Sequence, residues 1–377
     1  MQGNHNQRKA ILFRIGPFPI PNSILERELP KQFPDTRFIV IDVVNEIKRR
    51  PLAFVINSAA ALWEYGRKIV RRDFTLKEAF LGTTWFFHWV KRFARQKIKE
   101  FQPDFTFQTE SLWDVSVSGC PNFVYTDYTH LANLDYQTFN PNRLKHPHWV
   151  ELETSIYQNA TAIFTRSSNI SRSLEEKYQV DGNKIVMVGA GSNFNQLNLE
   201  YQKQDYRRKE ILFVGIDWPR KGGPDLVKAF QTIQQHHPDA RLTIVGCAPG
   251  TGLTNCTETG RIPIEAVSPF YERASIFCLP TKQEPFGIVF LEALHYKLPI
   301  VATDIGAIPD FVKDGENGYL VKPEDPAMLA DRLIKLLDDA ELCKVMGERG
   351  FELARSFYNW EKVTQHMAET IRANLKS

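Results

Sequence analysis

Glu284 and Glu292 stand eight positions apart, at the point where a polar loop interrupted by Pro285 runs into an apolar helical pattern ending near Leu294. Pro285 cannot donate a backbone hydrogen bond and disfavours the α conformation at Glu284, so the spacing predicts a helix starting near Gly287. Its first N–H groups point back toward the loop and make an anion site on the amides of Gly287, Ile288 and Val289. One carboxylate lies before that helix terminus and the other about one and a half turns inside it. A carboxylate beside a phosphate site serves hydroxyl groups. The competing reading makes Glu284 an ordinary helix cap and Glu292 a solvated helical residue. Favouring the chemical reading, Ser275 to Pro280 reads as a buried parallel strand ending just before this loop, and open α/β sheets bind ligands at the carboxyl ends of strands.

A second constellation lies upstream. Ile211 to Val214 reads as a buried strand, followed by Gly215, then Arg220-Lys221, then Gly222-Gly223 and a helix. A guanidinium can grip two phosphate oxygens and an ammonium acts as a point charge, so the pair suits a diphosphate. Two solvated basic residues in a turn are the alternative. In the first half, Asn122 to Thr126 reads as a buried strand carrying Asp127, Tyr128 and His130 past its end, where His130 is either a ligand-facing group or a structural histidine. Gly16 follows the first strand.

The elements that must position these residues alternate along the whole chain, the pattern of parallel sheets with crossover helices. First-half strands are expected at Ala10–Ile15, Arg37–Val43, Asp104–Gln108, Asn122–Thr126, Ala162–Thr165 and Lys184–Val188. A polar, strand-free stretch reads as a linker at 196–208. A second series follows, with strands at Ile211–Gly215, Arg241–Gly246, Ser275–Leu279, Ile300–Thr303 and Tyr319–Val321. The expected fold is α/β, with two Rossmann-like domains facing each other across a cleft. These are a first domain at 1–195 and a second at 209–357, with a last helical segment at 358–377.

A chain of 377 residues suits two cores, and 43% hydrophobic with 24% charged residues argues against disorder and against a membrane-embedded protein. No apolar run reaches the ~18 residues of a span, and residues 1–22 lack a signal-peptide layout, so a cytoplasmic location is expected. Five scattered cysteines read as reduced thiols. The net charge of +3 conceals an imbalance: residues 1–100 hold 19 Lys/Arg against 9 Asp/Glu. Part of that excess follows the aromatic run Trp85 to Trp89. Residues 85–99 are therefore either a peripheral anchor on an anionic membrane surface or a core helix with a solvated basic face. No nucleic-acid-binding motif accompanies the charge, so no nucleic-acid partner is expected.

Taken together, Gly215 to Lys221, Glu284 to Glu292, Leu298 to Thr303 with Gly306 to Asp310, and Asn317 to Val321 resemble the family 4 glycosyltransferases over about Lys209 to Phe357. The resemblance implies a GT-B fold and retaining transfer of a hexose from a UDP- or GDP-linked sugar, with no cofactor and no metal. It also implies that the first domain binds an acceptor and is completed by the helix at 358–377, and that the second binds a donor. The acceptor would be a lipid or lipid-linked glycan at the cytoplasmic membrane surface, or else a soluble glycan or small metabolite. A catalytically silent nucleotide-sugar-binding scaffold is the alternative of another class. By the same resemblance Glu284 sits by the transferred sugar, Glu292 bonds the ribose, and the amides of Phe286, Gly287, Ile288 and Val289 hold the diphosphate with Lys221. The family places Arg directly after the strand-ending glycine, where this chain has Ile216, and Arg220 stands in for it. Only Gly16 matches the family's first glycine loop, because Pro17 and Pro19 replace the second glycine. Asp127 or His130, with Tyr128 in an alternative register, would orient the acceptor or shield the cation, while the departing phosphate takes the acceptor proton.

Overall fold

The computed structural model describes residues 7–16, 20–192 and 205–375. Pro17, Pro19 and residues 196–204 of the expected linker lie outside the described residues. The chain divides into two units, one formed by residues 1–135, 139–190 and 360–377, the other by 136–138 and 191–359.

The first unit runs β1 (Arg8–Arg14), α1 (Ile20–Glu28), β2 (Thr36–Asp42), α2 (Val43–Lys48), α3 (Pro51–Val70), α4 (Leu76–Leu81), α5 (Thr84–Phe101), β3 (Phe105–Gln108), β4 (Asn122–Thr126), α6 (Pro147–Asn159), β5 (Ala162–Thr165), α7 (Ser168–Tyr178) and β6 (Ile185–Met187). Its six strands are all parallel, in the order β2-β1-β3-β4-β5-β6. Strands β3, β4 and β5 are buried at every position, the expected state of a sheet covered on both faces. The chain starts in the middle of the sheet and builds outward in both directions, so the loops after β1 and β3 part at a topological switch point.

The second unit repeats this plan with β7 (Glu210–Val214), α8 (Gly223–His236), β8 (Arg241–Val245), β9 (Cys256–Glu258), α9 (Ser268–Arg273), β10 (Ile276–Leu279), α10 (Ile288–His295), β11 (Ile300–Thr303), α11 (Ile308–Phe311), β12 (Gly318–Val321), α12 (Pro326–Asp338) and α13 (Ala340–Ser356). The order is β12-β11-β10-β7-β8-β9, again parallel, with the switch between β7 and β10. The expected α/β class with two parallel sheets holds. Strand β9 was not expected, because Cys256-Thr257-Glu258 is a partly exposed edge with no apolar run. The last helix, α14 (Trp360–Leu375), packs in the first unit against α1, and the Arg372 guanidinium donates to the Gln32 carbonyl.

Helix α5 buries Phe86, Phe87, Val90, Phe93 and Ile98. Trp85 and Trp89 pack on the same core cluster, with Trp89 stacked on Phe93 at 5.3 Å. Most of the aromatic run of residues 85–99 thus packs inward, with Trp85 and Trp89 partly exposed, which favours the reading of a core helix with a solvated basic face.

Candidate active site

In the second unit the switch point brings the predicted residues together. The loop after β7 carries Arg220 and Lys221, and the loop after β10 carries Glu284. Backbone bonds stitch the two: the Lys282 amide donates to the Arg220 carbonyl at 2.8 Å, and the Arg220 guanidinium donates to the Gln283 carbonyl at 2.8 Å. Gly222 has φ +75, and a Cβ there would sit 1.8 Å from the Pro280 carbonyl oxygen, so only glycine lets the loops approach this closely. A third loop closes in at Gly306, where a Cβ would lie 2.3 Å from the Glu284 carbonyl oxygen.

Within this frame Lys221 Nζ and Glu284 Oε2 form an ion pair, their side chains 12% and 7% exposed. Arg220 is also bonded by its Nε to Asp217 Oδ2 at 3.0 Å, so its guanidinium braces the loops it spans. Helix α10 begins at Ile288, with Gly287 as a left-handed cap at φ +92, and its first amides face the Glu284 loop. Phe286 is buried against Phe311, which fixes the backbone entering that helix. Glu292 is buried, and Oε2 accepts the Tyr271 hydroxyl at 2.9 Å. Burial, and then the Glu292 charge, push the Tyr271 phenol well above its ordinary pKa, so it stays a donor. The solvated-helix reading of Glu292 is therefore wrong for this fold. Tyr271 itself was missed, since nothing local links two residues 21 positions apart.

In the first unit Asp127 belongs to a cluster at the carboxyl ends of the strands. Arg166, directly after β5 and fully buried, donates to Asp127 Oδ2 at 2.8 Å and to Asn22 Oδ1 at 3.0 Å. Asn22 donates in turn to Glu110 Oε1 at 2.9 Å, across the switch point between β1 and β3. Desolvation, and then the Asp127 charge, raise the Glu110 carboxyl to about 7. Sequence reading missed Asn22, Glu110 and Arg166. The available signal was a polar residue just past each strand end, at Glu110 and Arg166. Gly16 stands at φ +60 on the same edge, its carbonyl accepting from Arg14 at 3.1 Å.

His130 is a different matter. Its Nε2 accepts the Lys145 amide at 2.8 Å, so Nδ1 carries the proton toward the Tyr128 hydroxyl at 3.2 Å. The ring lies buried edge-on to Trp149, and desolvation holds its pKa down to about 3. Both nitrogens are occupied, as is the Tyr128 hydroxyl, which also accepts from Asn133 at 2.6 Å. These contacts tie the His130 and Tyr128 side chains into a hydrogen-bond network of the first unit. Asp127 is partly open, its side chain 28% exposed, and Tyr128 is half-buried beside it.

Residues 200–353 match the family model of the glycosyl transferases group 1. The D-inositol 3-phosphate glycosyltransferase of Corynebacterium efficiens is 29% identical over 232 residues, 54% of this chain and 55% of that one. The chain thus spans a little over half the length of the curated relatives it matches. Among solved structures, sucrose-phosphate synthase from Thermosynechococcus elongatus aligns with a TM-score of 0.66 at 17% identity, covering 97% of this chain and 98% of that one. Anabaena Alr3699/HepE, in complex with UDP and glucose, aligns with a TM-score of 0.64 at 14% identity, covering 98% and 100%. Their likeness is one of fold, two parallel α/β units of the GT-B type. The second unit thus matches the glycosyl transferases group 1 model over residues 200–353, and the chain as a whole has the GT-B fold.

Proposed function

We propose that the chain is a retaining glycosyltransferase that moves a hexose from a UDP- or GDP-linked sugar to an acceptor hydroxyl. The observation that carries this reading is the Lys221 and Glu284 pair, set at the switch point of the second unit beside the N-terminus of α10. A diphosphate arriving there meets the ammonium of Lys221, the nearby Arg220 and the first amides of α10. These groups stabilise the leaving phosphate without rearranging at the moment of reaction, a contribution of several kcal/mol, about 3–4 for one such donor. Lys221 exchanges a carboxylate partner for the diphosphate, which leaves Glu284 to accept from the sugar hydroxyls. Glu292, aimed by Tyr271, serves the ribose.

In the reaction the anomeric C–O bond to phosphate breaks and its electron pair stays on the diphosphate. The acceptor oxygen bonds the anomeric carbon on the same face, and its proton passes to the departing phosphate oxygen. Asp127, held by Arg166, orients the acceptor hydroxyl. The complex of Anabaena Alr3699/HepE with UDP and glucose supports a donor of this chemistry. A screen of nucleoside-diphosphate sugars, following nucleoside diphosphate release, tests the reading. Release from a UDP- or GDP-hexose, slowed by Lys221→Ala, is expected. Binding of such donors without any turnover would make the chain a scaffold and overturn the reading.

A further inference from the structure

Helix α3 is apolar on two opposite faces. Asn57, Ala61 and Tyr65 are buried, and the Tyr65 hydroxyl donates to the Gly82 carbonyl at 2.8 Å. The other face carries Leu52, Val55, Ile56, Leu62, Trp63 and Val70 in a stripe of helical spacing that is exposed among the described residues. Trp63 is 91% exposed and Val70 is 84% exposed. A helix of 20 residues makes this stripe roughly 30 Å long. Soluble surfaces rarely leave large side chains exposed in so ordered a row.

The charge around the stripe decides what could cover it. Residues 48–72 hold seven basic side chains, Lys48, Arg49, Arg50, Arg67, Lys68, Arg71 and Arg72, and one acidic one, Glu64. Glu64 is exposed beside Trp63, and its carboxylate accepts the Thr84 amide at 3.1 Å. Arg67, Arg71 and Arg72, at the C-terminal end, have no ion-pair partner among the described residues. Lys48 lies at the other end with Arg49 and Arg50, which share the single carboxylate of Glu46 and leave that end net positive. Both ends of the stripe are therefore basic, so pairing with a second copy sets cation against cation in either orientation. A surface of anionic phosphates meets both ends and accepts the apolar row between them.

We propose that the outer face of α3 is a peripheral docking surface for an anionic lipid bilayer, with Trp63 and Leu62 entering the interface and the flanking arginines on the lipid phosphates. This goes beyond the glycosyl-transfer reading and is measured without any donor, so the two can fail separately. The probes are sedimented vesicles of phosphatidylcholine, with and without phosphatidylglycerol. Wild-type protein is expected to sediment with the anionic vesicles, less with the neutral ones, and less as salt rises. Leu62→Ser/Trp63→Ser should lower partitioning about tenfold or more, while circular dichroism and thermal unfolding stay unchanged. Arg67→Gln/Arg71→Gln/Arg72→Gln should remove most of the salt dependence. Absence of vesicle binding, or equal binding by the Leu62→Ser/Trp63→Ser variant, overturns the proposal. So does wild-type self-association in analytical ultracentrifugation that this variant abolishes, because the stripe is then a subunit interface.

Discussion

Lys221 and Glu284, 63 positions apart, are joined as a nearly buried ion pair in the second unit. Two groups that the proposed function assigns to different parts of one donor thus neutralise each other until the donor arrives. Removing either partner strands a charge in a poorly solvated place, which costs about 3–5 kcal/mol when burial is complete and less here. Lys221→Met and Glu284→Gln should each lower unfolding free energy, and the double variant should lose less than their sum by about 1–3 kcal/mol. Urea unfolding of the three variants measures this. Strict additivity would mean that the pair carries no coupling.

The close approach at Gly222 separates backbone strain from site geometry. Gly222→Ala forces its Cβ onto the Pro280 carbonyl, whereas Gly315, at a similar φ of +76, has nothing within 4 Å of a built Cβ. Both variants incur a left-handed penalty of about 1–2 kcal/mol. Only Gly222→Ala should also weaken nucleoside diphosphate binding, by tenfold or more, because it pushes apart the loops carrying Lys221 and Glu284. Calorimetric titration of both variants distinguishes them, and equal affinities would contradict the loop geometry.

Tyr271→Phe deletes the hydroxyl that bonds Glu292 and leaves the ring stacked on Tyr296. A hydrogen bond to a charged group contributes about 1.5–3 kcal/mol. Thermal stability should fall by an amount in that range, and nucleoside diphosphate affinity should fall several-fold as Glu292 loses its aim. Unchanged affinity would separate Glu292 from the ribose.

The His130 ring is held neutral down to about 3, against an ordinary value of 6.5. Between these values the unfolded chain binds a proton that the folded chain refuses. The contribution to stability is complete above 6.5 and is lost as pH falls toward 3. Glu153, buried and raised to about 7 by desolvation, runs the other way: its contribution is complete below 4.5 and is lost as pH rises through 7. His130→Asn should therefore flatten the loss of stability below pH 6.5. Nuclear magnetic resonance of the wild-type imidazole should show the neutral Nδ1–H form throughout this range, and titration near 6.5 would contradict the buried geometry.

The parts of this molecule legible in its sequence are those encoded over short distances. Pro285 and Gly287 mark the start of α10, and the apolar runs mark eleven strands. The Lys221 motif and the Glu284 motif were each visible, but their contact arises only when β7 and β10 become neighbours. Arg166 with Asp127 and Tyr271 with Glu292 join residues 39 and 21 positions apart, distances at which no periodicity operates. The aromatic run at Trp85 to Trp89 and the apolar helix at Leu52 to Val70 look equally suited to a core. Packing alone decides that the first turns mostly inward and the second keeps an open face.

Glu284→Gln tests the central claim most directly, because it removes the charge while keeping an acceptor oxygen and nearly the same volume. Donor hydrolysis, followed as nucleoside diphosphate release, should fall by about 10²-fold or more if Glu284 acts on the sugar in the transition state. Nucleoside diphosphate affinity should be unchanged or slightly tighter, since Lys221 no longer has a carboxylate competing for it. Unchanged turnover, or a loss of affinity that accounts for the whole effect, would contradict the assignment.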